Sequence, residues 1–255
     1  MEAEAWTQAV RHRFAPGRFL PLGGPEDGTW ITEQAALRDV GRAAAGIPGV
    51  RLEALRIRPA PHEPVSAPAV RPPTGALPPG PLRIEAACTA SLAQPLPETA
   101  DRLRSALLDA AREQLGLATV TADLRITDLL EGPETGVKPR PAAKGTTPAP
   151  EDTAARDSLP VTGAGSLRGV AGELADVVTG VPGVARLAAV WGSRPVMVAD
   201  HDDPPGRHLE VQLAVAPGHH PLEVARAVRD AVADAATTGA TGPVTVTVLI
   251  TGTAA

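Results

Sequence analysis

The same order of elements occurs twice along this chain. The duplication constrains the fold more than any single residue, because the matched positions are those that build a core. Ile47-Pro48-Gly49-Val50 ends a helical stretch in the first half, and Val181-Pro182-Gly183-Val184 does the same in the second. Leu82, Ile84, Ala86 and Cys88 alternate with polar or small residues, as Leu209, Val211, Leu213 and Val215 do later. Such period-two alternation is the pattern of a strand with one buried face. A last strand is matched as well, Val120, Ala122, Leu124 and Ile126 answering Val244, Val246, Val248 and Ile250. The expected fold is therefore α+β, two tandem helix-strand-strand-helix-strand domains. Each is expected to be a small, mostly three-stranded sheet packed on two helices.

At 255 residues the chain accommodates two domains of about 90 to 100 residues plus connecting material. Residues 1–30 stand outside the repeat. Trp6, Val10 and Phe14 lie on one face of a short amphipathic helix, and Gly17 and Pro21-Leu22-Gly23-Gly24-Pro25 then read as loop. The first copy spans 31–130 and opens at Thr32, an N-cap residue ahead of an Ala36, Leu37, Val40, Ala44, Ile47 stripe. The second spans 166–252, with Val170, Ala171, Leu174, Val178 and Val181 as its stripe. Gly46 and Gly180 are the C-cap candidates, and Pro48 and Pro182 forbid continuation. Strands are expected to begin at Val50 and Val184. In the first copy a Pro-rich loop over 59–80 separates the two central strands, and in the second a shorter loop holds Pro204 and Pro205. The second helix of each copy runs from Pro97 to Leu115 and from Pro221 to Thr237. Its stripes are Ala100, Leu103, Leu107, Ala110 and Ala225, Val228, Val232, Ala235. Because strand, helix and strand follow one another there, a crossover making the two strands parallel is expected. Residues 131–165 carry Pro, Gly, Ala, Thr and charge without a period and read as a flexible linker.

Composition excludes several function classes. Net charge is -5 with a pI near 5.7, so no whole-chain positive field attracts phosphate backbones or anionic lipid. The single cysteine excludes a disulfide framework within the chain and a multi-thiolate metal site. No window approaches the ~20 apolar residues of a membrane span, and Met1–Trp6 lacks the charged n-region and apolar core of a secretory signal. A cytoplasmic location is expected. Aromatics make up only 2%, so the cores are expected to be built from Leu, Val, Ile and Ala.

Each candidate for chemistry has a bland counterpart. Cys88 sits on the inward parity of its strand and reads as a buried, inert thiol. Asp200, His201, Asp202, Asp203 and His208 form a His/Asp loop in the second copy, with His219 and His220 before the last helix. His201, Asp203 and His208 are the residues a metal would use, although no helical His-x-x-x-His spacing supports them. Gly46-Ile47-Pro48-Gly49 and Gly180-Val181-Pro182-Gly183 fit the GxxG of K-homology RNA-binding domains, but a strand follows each and no basic cluster adjoins them. Leu159-Pro160-Val161-Thr162-Gly163 has the form of a sorting signal in mid-chain, without the span that would follow one. No Gly-x-Ser-x-Gly elbow or phosphate-binding loop is present. The expectation is no catalytic residue, no cofactor and no enzyme activity.

The paired pattern resembles the alkaline-shock and general-stress envelope-protein family. That family has an early helix ending in V-P-G-V, an alternating strand, a P-L-x-E-V-A helix and a V-x-V-x-V strand. Here those pieces are Val181–Val184, Leu209–Val215, Pro221-Leu222-Glu223-Val224-Ala225, without the residue between Leu and Glu, and Val244–Val248. The first copy keeps Pro48-Gly49-Val50 and Pro97-Glu98-Thr99-Ala100 but carries the Pro-rich insertion. Leu20–Pro25 also resembles actinobacterial proteins whose name is borrowed from a nucleopolyhedrovirus fibrillar protein. The resemblance implies a non-enzymatic cytoplasmic scaffold tied to cell-envelope stress, with a membrane-anchored protein partner and self-association. The alternative from another class is a small-ligand or metal-binding module using the His/Asp loop.

Overall fold

The structure is a computed structural model that describes residues 18–61, 63–130, 169–190, 193–240 and 242–254. The helix expected around Trp6–Phe14 and the linker over 131–165 lie outside the described residues. Helix α1, Glu33–Ala45, starts where Thr32 leaves an extended conformation and its Oγ1 accepts a hydrogen bond from the Ala35 N–H. Glu33 in the first turn and Arg42 in the last complement the helix dipole. Ala36, Val40 and Ala44 are buried, as the stripe requires. Gly46 closes this helix in a right-handed conformation. The left-handed glycines of the two turns are instead Gly49 (φ +73°) and Gly183 (φ +91°), and Val181 takes the cap of the later helix.

The first unit continues with β3 (Val50–Pro59), β4 (Leu82–Ser91), α2 (Leu96–Asp109) and β5 (Thr119–Leu130). A six-residue π-helical turn, Ala110–Leu115, extends α2 and ends on left-handed Gly116. β4 pairs antiparallel with β3 and parallel with β5, so α2 is the expected crossover. The second unit repeats the plan with α3 (Val170–Gly180), β6 (Val184–Leu187), β7 (Val196–Asp202), β8 (Pro205–Val215), α4 (Pro221–Ala236) and β9 (Val244–Thr253). Its first strand is split, β6 and β7 lying along the same side of β8, while β8 and β9 are parallel. The buried stripe of α4 closes on Ala236 in place of Ala235.

The reading of Pro21-Leu22 as loop is overturned, while Gly23-Gly24-Pro25 do form a turn and Gly17 lies outside the described residues. Phe19–Leu22 (β1) and Thr29–Thr32 (β2) form an antiparallel hairpin, and β2 pairs in parallel with β9 through Thr29–Ile31 and Val248–Ile250. Pro21 misled because proline breaks interior strands. Here it lies in the outermost strand of the sheet, where a missing N–H costs no ladder bond. Gly23-Gly24-Pro25 supply the turn, with the Gly24 N–H donating to Asp27 Oδ2 at 2.7 Å. The second unit's sheet is therefore six-stranded, β1-β2-β9-β8-β6 with β7 also on β8, whereas the first unit's sheet is three-stranded, β3-β4-β5.

The hairpin welds the halves together. Leu20, Leu22 and Ile31 join one continuous buried cluster with Val40, Ile84 and Leu107 of the first unit and Val178, Val228 and Val248 of the second. The opposite face of β1–β2–β9 carries Phe19, Trp30 and Leu249, which form a separate cluster with Val70, Ala76 and Val190. The Pro-rich segment of the first unit is thus a strap over the second unit's sheet. It is fastened by Leu77 N–H to Phe19 O (2.8 Å), Trp30 Nε1 to Leu77 O (3.2 Å) and Thr247 Oγ1 to Arg71 O (3.0 Å).

Candidate functional site

Two carboxylates that the fold buries, Asp27 and Asp39, lie at the seam between the two units. Asp27, on the hairpin turn, is 3% exposed; its carboxylate receives Arg226 Nε at 2.7 Å and Arg226 Nη2 at 3.0 Å from α4. Arg229, one turn on, donates Nη1 to the carbonyls of Glu26 and Asp27, both at 2.9 Å. Burial alone would push the Asp27 carboxyl up, but the Arg226 hydrogen bond, the Gly24 N–H and the two guanidinium charges overcome it and hold it below the usual carboxylate range. Asp39 on α1, also buried, accepts Thr253 Oγ1 at 2.7 Å and Arg42 Nη1 at 3.1 Å. These groups are occupied in joining elements distant in sequence. Beside Asp39 lies a cleft of about 360 Å³ between the units, where Arg42, Glu113, His219 and His220 meet. His219 Nδ1 lies 3.1 Å from its neighbouring Pro217 carbonyl, so one imidazole nitrogen is engaged locally.

The His/Asp loop is a β-hairpin. Asp200, His201 and Asp202 belong to β7, and the register sets Ala199 opposite His208, Asp200 opposite Arg207 and His201 opposite Gly206. His201 and His208 consequently share a face as diagonal neighbours, while Asp203 falls in the turn and Asp200 is held by Arg207 Nε at 2.7 Å. Burial is the main reason the His208 imidazole titrates below its ordinary value, and its Nδ1 lies 2.9 Å from Thr245 Oγ1. Among the described residues no three His, Cys, Asp or Glu side chains are placed to hold a metal. Cys88 is 2% exposed, and burial, then the charge of Glu53, pushes its thiol up, away from the reactive thiolate.

The GxPG turns are structural hinges between helix and strand. Gly49 O accepts Ser91 N–H and Gly183 O accepts Ala216 N–H, each at 2.8 Å, so each turn also receives the end of the next strand. A Cβ on Gly183 would stand 2.5 Å from Val224 Cγ2, which leaves these turns packed inward.

The surface that departs most from the repeat is the outer edge of β5. Its counterpart β9 is buried, with Val246 at 3%, Val248 at 0% and Ile250 at 0%, because β2 covers that edge. In β5 only Ala122 of the four matched residues is buried. Val120 and Ile126 are 42% and 37% exposed, and Leu129 adds another 42%. Among the described residues no strand lies beyond β5. Arg104 Nε from α2 and Arg112 Nη2 from the π-helical turn donate to the carbonyls of Ala122 and Val120, each of which keeps a second lone pair for a strand at this edge. The face turned away from the helices is an ionic ladder: Arg58–Glu85 at 3.1 Å, Arg83–Glu85 at 2.6 Å and Arg83–Asp123 at 3.8 Å. This edge was missed in the sequence because β5 and β9 carry the same inward alternation, and the hairpin that covers β9 was not read as strand.

No helix among the described residues is long and apolar enough to cross a membrane. Compared with protein-family models, with curated proteins and with solved structures, the chain finds no match.

Proposed function

We propose that this chain is a non-enzymatic cytoplasmic scaffold that works by protein–protein contact, held at the inner face of the membrane by an anchored partner and linked to cell-envelope stress. The observation that carries the contact reading is the open edge of β5. Among the described residues, three of the seven exposed large hydrophobics, Val120, Ile126 and Leu129, lie on this one strand, and an exposed strand offers unpaired backbone groups beside its apolar side chains. The link to the envelope rests on the resemblance of the Val181–Val184, Leu209–Val215, Pro221–Ala225 and Val244–Val248 motifs to the alkaline-shock family. The buried polar groups support a structural role, since Asp27 and Asp39 are spent on joining the units.

Affinity purification of the full chain from its native cells, with and without envelope stress, tests this. A membrane-anchored protein is expected to be recovered with the wild type and lost with Ile126→Asp/Leu129→Asp. Recovery of no membrane protein, or recovery indifferent to the β5 change, overturns the reading.

A further inference from the structure

We infer that the outer edge of β5 pairs with the same edge of a second copy of this chain, antiparallel about a two-fold axis at Leu124. This rests on the reading of β5 as a docking edge and commits it to one occupant.

The fold itself shows what the edge takes. The matched positions of the repeat set Leu124, Arg125 and Ile126 where the second unit has Val248, Leu249 and Ile250, and those three are the residues that pair with β2. An added strand there is therefore the arrangement this sheet already adopts once. A second copy fits the vacancy through charge. With Leu124 on the axis, Asp123 of one copy stands opposite Arg125 of the other, and the two-fold makes that pairing twice. Both residues lie on the ionic face of the sheet, opposite Glu85 and Ala87 of β4, and both are exposed. Among the described residues Asp123 is engaged only by Arg83, at 3.8 Å. On the other face Ala122 meets Ile126 of the second copy and Leu124 meets its own symmetry mate, which removes Ile126 from water. Opposite charges facing each other across antiparallel strands are favourable and like charges are not. An isologous contact of this kind closes on itself, so the product is a dimer and not a fibre. The three-stranded sheet becomes a continuous six-stranded one.

The test uses the full chain, purified alone. Light scattering across the micromolar range is expected to give twice 26.1 kDa for the wild type. Asp123→Arg and Arg125→Asp each set like charges opposite one another twice, and each is expected to raise the dimer Kd by at least about tenfold. The double exchange, Asp123→Arg with Arg125→Asp, restores the pairing and is expected to restore the dimer. Both residues are exposed, and matching circular dichroism confirms that the variants fold. A monomeric wild type, a dimer indifferent to the single changes, or a double exchange that stays monomeric each overturns the proposal. If the purified chain is monomeric while a membrane-anchored protein is still captured through β5, self-pairing fails and the scaffold reading stands. If it dimerises as described and captures nothing, the reverse holds.

Discussion

Asp27 is the residue on which the seam turns, because burying a carboxylate is tolerable only when donors surround it. Four protein donors act on or beside it: Gly24 N–H and Arg226 on the carboxylate, and Arg229 on the adjacent carbonyls. Asp27→Asn is expected to destabilise the fold at neutral pH by about 1–3 kcal/mol, the lower side of the range for a broken buried pair because Arg226 can turn to solvent. The folded-state pKa of Asp27 is depressed. Its stabilisation is therefore complete above the unfolded value near pH 4 and is lost as pH falls through the folded value. Urea unfolding curves of wild type and Asp27→Asn should thus be furthest apart near neutrality and converge in acid. A difference that grows as pH is lowered would contradict this. Thr32 as an N-cap and Cys88 as a buried thiol were legible from the sequence, since both follow from local pattern. Asp27 was not, because its partners lie about 200 residues away, and nothing in the local sequence marks it as more than a turn acid.

At the level of elements, the Pro-rich strap and the β1–β2 hairpin depend on one another. Trp30 is 1% exposed with its indole N–H on the strap carbonyl of Leu77. Trp30→Ala is expected to cost about 3–5 kcal/mol in urea unfolding, while Trp30→Phe, which keeps an aromatic ring but loses the hydrogen bond and part of the indole volume, costs about 1–2 kcal/mol. Equal losses for the two would show that the strap is not seated on the ring. The helices and central strands were readable because amphipathic stripes are local: Leu103 and Leu107, or Leu209 through Val215, are buried where their spacing places them. The hairpin was hidden by Pro21, Gly23 and Gly24, whose turn chemistry outweighed a four-residue strand without alternation. Its two faces are both covered, so Phe19–Leu22 and Thr29–Thr32 are buried throughout and period two disappears.

The whole molecule is two repeats sharing one core, and neither half is complete alone. Residues 166–255 expressed by themselves would expose the β9 edge that β2 covers and are expected to aggregate. Co-expression with residues 1–130 is expected to yield a soluble one-to-one complex, recovered when either half is pulled down. Independent, monodisperse halves would refute the shared core. The parallel pairing of β2 with β9 also orders events on the ribosome. Thr32 and Thr251, bonded across that seam at 3.3 Å, are 219 residues apart. At usual synthesis rates roughly 10–40 s separate their emergence. For that interval the nascent hairpin has no true partner, while the residues of β5, the internal likeness of β9, have already been synthesised. The residue that tells the two edges apart is Arg125, standing where β9 has Leu249. A guanidinium at that position cannot complete the Phe19–Trp30 cluster, so the same charge that matches a second copy turns the chain's own first strands away from the wrong edge.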